Sequence, residues 1–311
     1  MRIAIFSDVH SNREALEAAF EDAIALDVDA YWCLGDVVGY GPDPYRCWQR
    51  LAKIEEIPEN LWVAGNHDWG LIGRLESQIF VGLLEGPTVT GDFGVHAWEM
   101  LNKQKRLLAE VPNLSGPMYE SLSRLPLLSS PLPGVYMAHG SGHPEASQAI
   151  GTYSRLPIQG QESLLNMRDL ADDPNSAKWQ ELSKVALHGW AMPKLMLVGH
   201  THIAGMWQYP GLQPGSSDWI DLTQQVQEQT EWFTFADLER DPVFANPGSV
   251  GFARDYPGMA CYLLLDWEED RLGLTQRRVS YDFEKTLSLL EAIGAPELVL
   301  DQLRRGRLLR G

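Results

Sequence analysis

Five short motifs concentrate the histidine, aspartate and asparagine side chains that could bind metal ions. They are Asp8-Val9-His10, Gly35-Asp36-Val37-Val38-Gly39, Gly65-Asn66-His67-Asp68, His139-Gly140-Ser141 and Gly199-His200-Thr201-His202. Imidazole and carboxylate groups together favour Mn, Fe, Zn or Co over Ca or Mg, which prefer shells of oxygen ligands. The motifs hold five of the eight histidines, the others being His96, His143 and His188. This concentration indicates one shared metal centre.

Each motif lies just past the end of an apolar segment that is typical of a β-strand, at residues 2–6, 30–34, 61–64, 135–138 and 195–198. Taken singly, such a motif is more often an ordinary turn, and a single histidine is more often a satisfied core residue. The position that all five motifs share favours a functional site instead, because ligands of open α/β sheets bind at the carboxyl ends of the strands. Alternate residues of an extended segment also point the same way, so Asp8 and His10 can reach one centre, as can His200 and His202.

The alternation of strands and helices in the first third predicts an α/β fold with parallel βαβ units. Helices are expected over residues 13–26, capped by Asn12 or Ser11, and over 44–57, which begins with proline in its first turn. Residues 69–132 are interpreted as a helical insertion and residues 146–178 as a polar loop region. The remainder predicts a helix at 179–190, a β-rich portion over 203–279 and a helix at 283–293. We expect one domain over residues 1–311.

The formal net charge of −17 limits the class of partner. An acidic surface repels polyanions and offers no basic footprint, which disfavours long nucleic acid. A phosphate ester would therefore need local positive charge from bound metal. No apolar run approaches the ~20 residues that cross a bilayer, and the start of the chain does not resemble a signal peptide. These features predict a cytoplasmic protein with no membrane contact, and they leave its oligomeric state open.

In this order, the motifs from Asp8 to His202 resemble the calcineurin-like metallophosphoesterase superfamily. The segments Gly39-Tyr40-Gly41-Pro42-Asp43-Pro44 and Asn246-Pro247-Gly248-Ser249-Val250-Gly251 look like its small bacterial and archaeal phosphodiesterase branch. The resemblance implies a four-layer α/β/β/α sandwich of two mixed sheets flanked by helices. It also implies a phosphoesterase, with a phosphodiesterase favoured, that hydrolyses a small phosphate ester through a hydroxide bridging two metal ions.

The same resemblance implies a ligand role for seven positions. Asp8, His10 and His202 would bind the first metal, and Asn66, His139 and His200 the second, with Asp36 bridging both. The metals would be two divalent ions of Mn, Fe, Zn, Co or Ni, with Mn or Fe favoured. Two such ions carry +4, and two aspartates with a bridging hydroxide leave a centre of about +1 that attracts a phosphate anion.

Three further residues receive roles next to the metals. The resemblance implies that His67 faces the substrate phosphate, where it would stabilise developing charge or protonate the leaving alkoxide. Asp68 would orient the His67 ring and fix its tautomer. Arg254 is a candidate for contact with the substrate phosphate, with a surface salt bridge to Asp255 as an equal alternative. The branch often has Gln-Pro before this arginine, where this chain has Phe252-Ala253.

Other function classes fit the sequence less well. A serine hydrolase is disfavoured because the chain has no Gly-x-Ser-x-Gly elbow. A serine/threonine phosphatase of the same superfamily would carry Asp-Arg-Gly after the second motif, where this chain has Val37-Val38-Gly39-Tyr40-Gly41. The same segment argues against the dinucleoside tetraphosphate hydrolases. A nuclease of the superfamily and a catalytically weak, metal-binding interaction scaffold stay open as alternatives.

Overall fold

Two mixed β-sheets form the centre of the computed structural model, which describes residues 1–55, 59–73, 95–140, 194–208, 220–227 and 229–306. The first sheet has the order β3 (Leu61–Trp62), β2 (Ala30–Cys33), β1 (Arg2–Phe6), β11 (Met259–Trp267), β12 (Arg271–Ser280) and β9 (Glu231–Thr234). Strands β1, β2 and β3 are parallel, and the other pairings are antiparallel.

The second sheet also has six strands in this part of the chain. Its order is β4 (Leu128–Leu132), β5 (Val135–Ala138), β6 (Leu195–Leu197), β10 (Val243–Pro247), β7 (Ala204–Gln208) and β8 (Ile220–Asp221). Strands β5, β6 and β10 are parallel, so the second sheet has a parallel centre like that of β1 to β3 in the first.

The packing of the sheets follows from the alternation of side chains along β1. Ile3 and Ile5 lie in the apolar cluster between the two sheets, which also contains Val135 and Leu195 of the second sheet. Phe6 points to the opposite face, into a second cluster formed with the helices. Because successive strand residues face opposite sides, an apolar segment such as β1 can be buried on both faces.

Eight helices in the described residues accompany the sheets. They are α1 (Arg13–Ala25), α2 (Pro44–Glu55), α3 (Asn66–Leu71), α4 (Val95–Ala109), α5 (Pro112–Arg124), α6 (Phe235–Arg240), α7 (Phe283–Ala292) and α8 (Glu297–Arg305). Asn12 caps α1 as expected, since its side-chain oxygen accepts a hydrogen bond from the Ala15 N–H. Leu16, Met100 and Leu303 place α1, α4 and α8 in the apolar cluster on the helix-facing side of the first sheet. The expected arrangement of two mixed sheets flanked by helices is confirmed.

Three elements differ from the sequence-based expectations. β4 lies inside the segment that was expected to be helical, and it forms because it pairs antiparallel with β5. Its Pro131 falls at a register shift on an edge strand, where a missing N–H is tolerated. α6 and α8 were not predicted at all. The expected polar loop at 146–178 and helix at 179–190 lie outside the described residues, and the assignment of a single domain stays a prediction. None of the helices described here is both long and apolar enough to cross a membrane.

Candidate metal centre

The predicted motifs meet at one edge of the paired sheets, and backbone hydrogen bonds connect them directly. The Asp8 N–H donates to the Gly35 carbonyl at 3.0 Å, which joins the first motif to the second. The Gly199 N–H donates to the His139 carbonyl at 2.8 Å, which joins the fifth to the fourth. The His200 N–H then donates to Asp8 Oδ2 at 3.0 Å, across the two sheets. These bonds join four of the five motifs, across a separation of 192 residues between Asp8 and His200.

An unusual backbone conformation presents the candidate ligands. Eight non-glycine residues in the described part of the chain have a positive φ. Five of the eight are Asp8, His10, Asp36, His200 and His202, with φ between 47° and 68°. The expectation that Asp8-x-His10 and His200-x-His202 converge because they are extended is therefore wrong about the backbone, although each pair does reach one centre. Such residues are costly to hold and concentrate at functional sites.

Two glycines permit the close approach of these loops. A Cβ on Gly65 would lie 2.1 Å from Asp36 Oδ1, and a Cβ on Gly199 would lie 2.0 Å from the Ser7 hydroxyl. Real Cβ atoms do not approach other atoms so closely, so both positions require glycine.

The first cluster consists of Asp8, His10 and His202, all buried. His10 Nδ1–H donates to the Val38 carbonyl at 3.0 Å, and His202 Nδ1–H donates to the Phe252 carbonyl at 2.9 Å. A carbonyl can only accept, so both Nε2 atoms of the neutral rings carry lone pairs. These two atoms lie 2.9 Å apart.

Two nitrogen lone pairs that face each other repel unless a positively charged group lies near both. Asp8 Oδ1 lies 3.3 Å from His202 Nε2, and among the described residues it has no hydrogen-bond partner. A divalent cation would satisfy all three atoms, because metal–nitrogen and metal–carboxylate distances of about 2.0–2.2 Å suit donors this close together. The donor set therefore fits a metal ion better than it fits an empty core.

The second cluster consists of Asp36, Asn66, His139 and His200. His139 repeats the pattern of the first cluster, because its Nδ1–H donates to the Leu34 carbonyl at 2.8 Å. Its Nε2 lies 3.1 Å from Asn66 Oδ1 and 3.2 Å from His200 Nδ1. Asn66 Oδ1 is in turn 2.8 Å from His200 Nδ1. Backbone carbonyls that hold the far nitrogen of a metal-bound histidine are the usual arrangement in metal sites.

Asp36 lies between the two clusters. Its Oδ2 is 3.1 Å from His139 Nε2 and 3.7 Å from His10 Nε2. Its other oxygen, Oδ1, accepts the backbone N–H of His67 at 2.7 Å, which fixes the orientation of the carboxylate. One carboxylate oxygen thus faces donors of both clusters.

Burial keeps most of the site histidines neutral. It lowers the pKa of His10 and His202 well below their ordinary values and that of His200 to about 3. Burial acts in the same direction on His139, but the adjacent Asp36 carboxylate outweighs it and raises the pKa of His139 to about 9. Protonated His139 and ionised Asp36 therefore form a buried ion pair when no cation is bound. A metal ion would replace that proton, since ligands must be deprotonated to bind.

His67 and Asp68 stand at the start of α3, beside the clusters. The Asp68 carboxylate accepts backbone N–H groups of Gly65, Asp36, Val37 and Val38 at 2.9–3.3 Å. It therefore ties the third motif to the second, a role that the sequence did not indicate. Its orienting effect on His67 stays a prediction. His67 is buried, and it also lies close enough to His10 and Asp36 to belong to a donor group.

A cavity of about 180 Å³ opens beside the two clusters, and Asp36, Asn66, His67, His200 and His202 line it. Arg254 and Tyr40 line it as well. The structure does not contain the alternative salt bridge between Arg254 and Asp255. Asp255 Oδ2 lies 3.0 Å from Arg278, and Arg254 Nη1 donates to the Thr201 carbonyl at 3.3 Å. The Arg254 cation therefore stands in the wall of the same cavity as the candidate ligands.

Buried amides brace the loops that carry the candidate ligands, and no sequence motif indicated the role of Gln104. Gln104 on α4 is fully buried, accepts the Gly39 N–H at 2.9 Å, and donates to the Gly41 carbonyl at 2.7 Å. The only local signal was the glycine-rich turn that it holds. Asn246 donates to the Gly199 carbonyl at 2.9 Å and accepts the Gly248 N–H at 2.8 Å, so it braces the loop of the fifth motif.

Comparisons with known proteins identify the family and the fold of the chain. Residues 1–270 match the family described as the calcineurin-like phosphoesterase superfamily domain. The uncharacterized protein MJ0912 of Methanocaldococcus jannaschii is 27% identical over 309 residues, which is 98% of each chain. A metallophosphoesterase from Sphaerobacter thermophilus superimposes with a TM-score of 0.60 at 25% identity, over 99% of this chain and 100% of that one. The hypothetical protein PH1004 from Pyrococcus horikoshii OT3 shares the fold, with a TM-score of 0.56 at 17% identity over 97% of each chain.

Proposed function

The chain belongs to the calcineurin-like phosphoesterase superfamily, and from that premise we propose that it hydrolyses small phosphodiesters at a centre for two metal ions. The proposed ligands are Asp8, His10 and His202 for one ion, Asn66, His139 and His200 for the other, and Asp36 for both. The observation that carries the proposal is the position of Asp36, whose Oδ2 lies 3.1 Å from a donor of one cluster and 3.7 Å from a donor of the other.

The mixed imidazole, amide and carboxylate donor set favours Mn or Fe, with Zn, Co or Ni as alternatives. When bound, two such ions supply an activated water as nucleophile and neutralise charge on the phosphoryl oxygens. The backbone carbonyls behind His10, His139 and His202 hold these rings with one nitrogen directed to the centre. Burial keeps bulk water away from the same atoms and strengthens every charge interaction there.

His67 and Arg254 are proposed to act on the substrate. Burial lowers the pKa of His67 to about 4, so the ring is neutral in the cavity before an anion enters. A neutral His67 would donate a hydrogen bond to a phosphoryl or leaving-group oxygen. Arg254 adds a permanent positive charge to the cavity wall, which supports binding of an anion to a protein of net charge −17.

Small substrates suit the site better than polymers. The cavity of about 180 Å³ holds on the order of six water-sized groups, enough for a phosphoryl group and a short organic substituent. The acidic surface gives a long polyanion no second point of attachment.

The direct test is turnover of bis-p-nitrophenyl phosphate by the chain loaded with Mn²⁺, with metal content measured on the same sample. We expect two metal ions per chain and release of p-nitrophenolate that a chelator abolishes. p-Nitrophenyl phosphate in parallel distinguishes a diesterase from a monoesterase. Two bound metals without turnover of either ester would refute the proposal and favour the interaction scaffold.

A further inference from the structure

The part of the cavity wall that α4 and α8 form contains a buried amide with no hydrogen bond to the described residues. Gln302 on α8 lines the cavity and is only 4% exposed. Its side chain makes no hydrogen bond to any residue in the described ranges, and its Nε2 is sealed from solvent. A buried polar group that is left unsatisfied destabilises a fold, so its presence calls for a reason.

The two other glutamines buried among the described residues make the contrast clear. Gln104 makes three side-chain hydrogen bonds and Gln276 donates to the Pro247 and Tyr262 carbonyls. Both are fixed by the protein itself. Gln302 is similarly buried but makes no such side-chain hydrogen bonds to the described residues. Those residues therefore do not fix the orientation of its amide.

A second polar group without a partner belongs to the same part of the cavity wall. His96 lies in the first turn of α4 and lines the cavity, and its Nδ1 also lacks a hydrogen-bond partner in the described part of the chain. Leu298, Val299 and Ala97 are the apolar residues that α4 and α8 add to this wall. This wall carries neither a carboxylate nor a second arginine among the described residues that line it, so it suits an uncharged group that can accept hydrogen bonds.

We propose that His96 and Gln302 form a recognition subsite for the organic part of the substrate, an uncharged group bearing a hydrogen-bond acceptor a few atoms from phosphorus. The inference rests on the proposed function and deepens it, because the metal ions and Arg254 would hold the phosphoryl end of the same molecule. The amide can turn about its terminal bond, a torsion with broad minima, so either its N–H₂ or its oxygen can face the ligand.

Two phosphonates of equal length that resist hydrolysis test the subsite. 2-Methoxyethylphosphonate and butylphosphonate differ only by an ether oxygen in place of one methylene. Competitive inhibition of bis-p-nitrophenyl phosphate turnover and calorimetric titration of the Mn²⁺-loaded chain give their affinities, with inorganic phosphate as the reference. In the wild-type chain, we expect the methoxyethyl compound to bind about fivefold more tightly, the effect of one ordinary hydrogen bond. Equal affinities would overturn the proposal.

Two neighbouring substitutions on α8 separate recognition from packing. Gln302→Met should reduce the ratio of the two affinities to about one and leave the affinity for inorganic phosphate as it was. It should also raise or preserve the melting temperature, because it removes an unsatisfied buried amide. Leu303→Met introduces the same residue at the next buried position, which does not line the cavity. This variant should keep the fivefold ratio of the two affinities.

The outcomes distinguish this inference from the proposed function. The inference is overturned if the Gln302→Met chain keeps the fivefold ratio of the two affinities. It is also overturned if Gln302→Met lowers the melting temperature and Leu303→Met does not, because Gln302 would then have a packing role. Loss of the fivefold affinity ratio in the Leu303→Met chain would overturn the inference as well, because the ratio would then depend on the packing of α8. If the wild-type chain turns over no ester, the proposed function fails, while calorimetry on the metal-loaded chain still measures the ratio of the two phosphonates.

Discussion

Replacing Asp36 by asparagine should abolish metal-dependent stabilisation at both clusters at once. Asparagine keeps the oxygen that accepts the His67 N–H at 2.7 Å, so the loop that holds the residue should persist. The other oxygen, which lies within 3.1 Å of His139 and 3.7 Å of His10, becomes an N–H₂ group. An amide nitrogen has no lone pair to offer a cation.

The size of the effect follows from ligand linkage. A metal ion at a hundred times its dissociation constant stabilises the folded chain by about 2.7 kcal/mol per site. An unfolding entropy of about 2.1 cal/mol/K per residue, over 311 residues, converts this to about 4 °C per site. The wild-type chain should therefore melt about 8 °C higher with Mn²⁺ than with chelator, and the Asp36→Asn chain should show almost no difference.

The assay is thermal unfolding with and without Mn²⁺, combined with metal analysis after gel filtration. Comparing each variant with its own metal-free form removes the cost of breaking the Asp36–His139 ion pair from the result. Asp22→Asn is the matched control, because Asp22 is a hydrogen-bonded carboxylate on α1 that belongs to neither cluster nor to the cavity. This variant should keep the full 8 °C rise. A rise of about 4 °C in the Asp36→Asn chain would restrict Asp36 to one site, and an unchanged rise would refute its bridging position.

Three further substitutions give separate tests. His67→Asn should keep the metal-dependent rise in melting temperature and lower kcat by about 10²–10⁴-fold, the usual contribution of an acid or base; loss of metal would instead make His67 a ligand. Arg254→Gln should raise the inhibition constant of inorganic phosphate roughly tenfold, as expected for a charge-assisted hydrogen bond, with metal content unchanged; an unaltered constant would remove Arg254 from the substrate site. Burial raises the pKa of Asp22, but hydrogen bonds from Arg277 and Tyr262 outweigh it and hold that pKa below its ordinary value. The stabilisation by this carboxylate is present above the unfolded-state pKa of about 3.9 and is lost as pH falls through the lower folded-state value. The difference in urea midpoint between wild-type and Asp22→Asn chains should therefore shrink below about pH 4, and a constant difference down to pH 2 would contradict the assignment.

The sequence by itself determined which residues can form the centre and where the strands that present them lie. β1 and β5 have the predicted bounds, and β2, β3 and β6 end within two residues of theirs. Apolar strands and the polar residues that follow them are local features, written in a few consecutive positions. A local pattern of this kind also predicted α1 with its Asn12 cap.

Only the tertiary structure decided how these residues are held. The positive φ angles at Asp8 and His200 depend on neighbours that crowd the loops from other parts of the chain. Asp68 looked like a partner of His67, yet its carboxylate holds the backbone of the second motif, 30 to 32 residues earlier in the chain. The consecutive residues around these positions do not encode such contacts.

The cavity shows the same division most clearly. The sequence placed the candidate metal ligands at the strand ends, but the part of the wall that contains Gln302 comes from α8, a helix that no motif pointed to. Gln302 lies more than 230 residues after the candidate ligands of the first three motifs. It reaches the cavity because α8 packs in the helix-facing cluster through Leu303 and Val299. Short motifs determine the chemistry that a chain can perform, whereas the packing of distant segments decides the shape and polarity of the space in which the substrate lies.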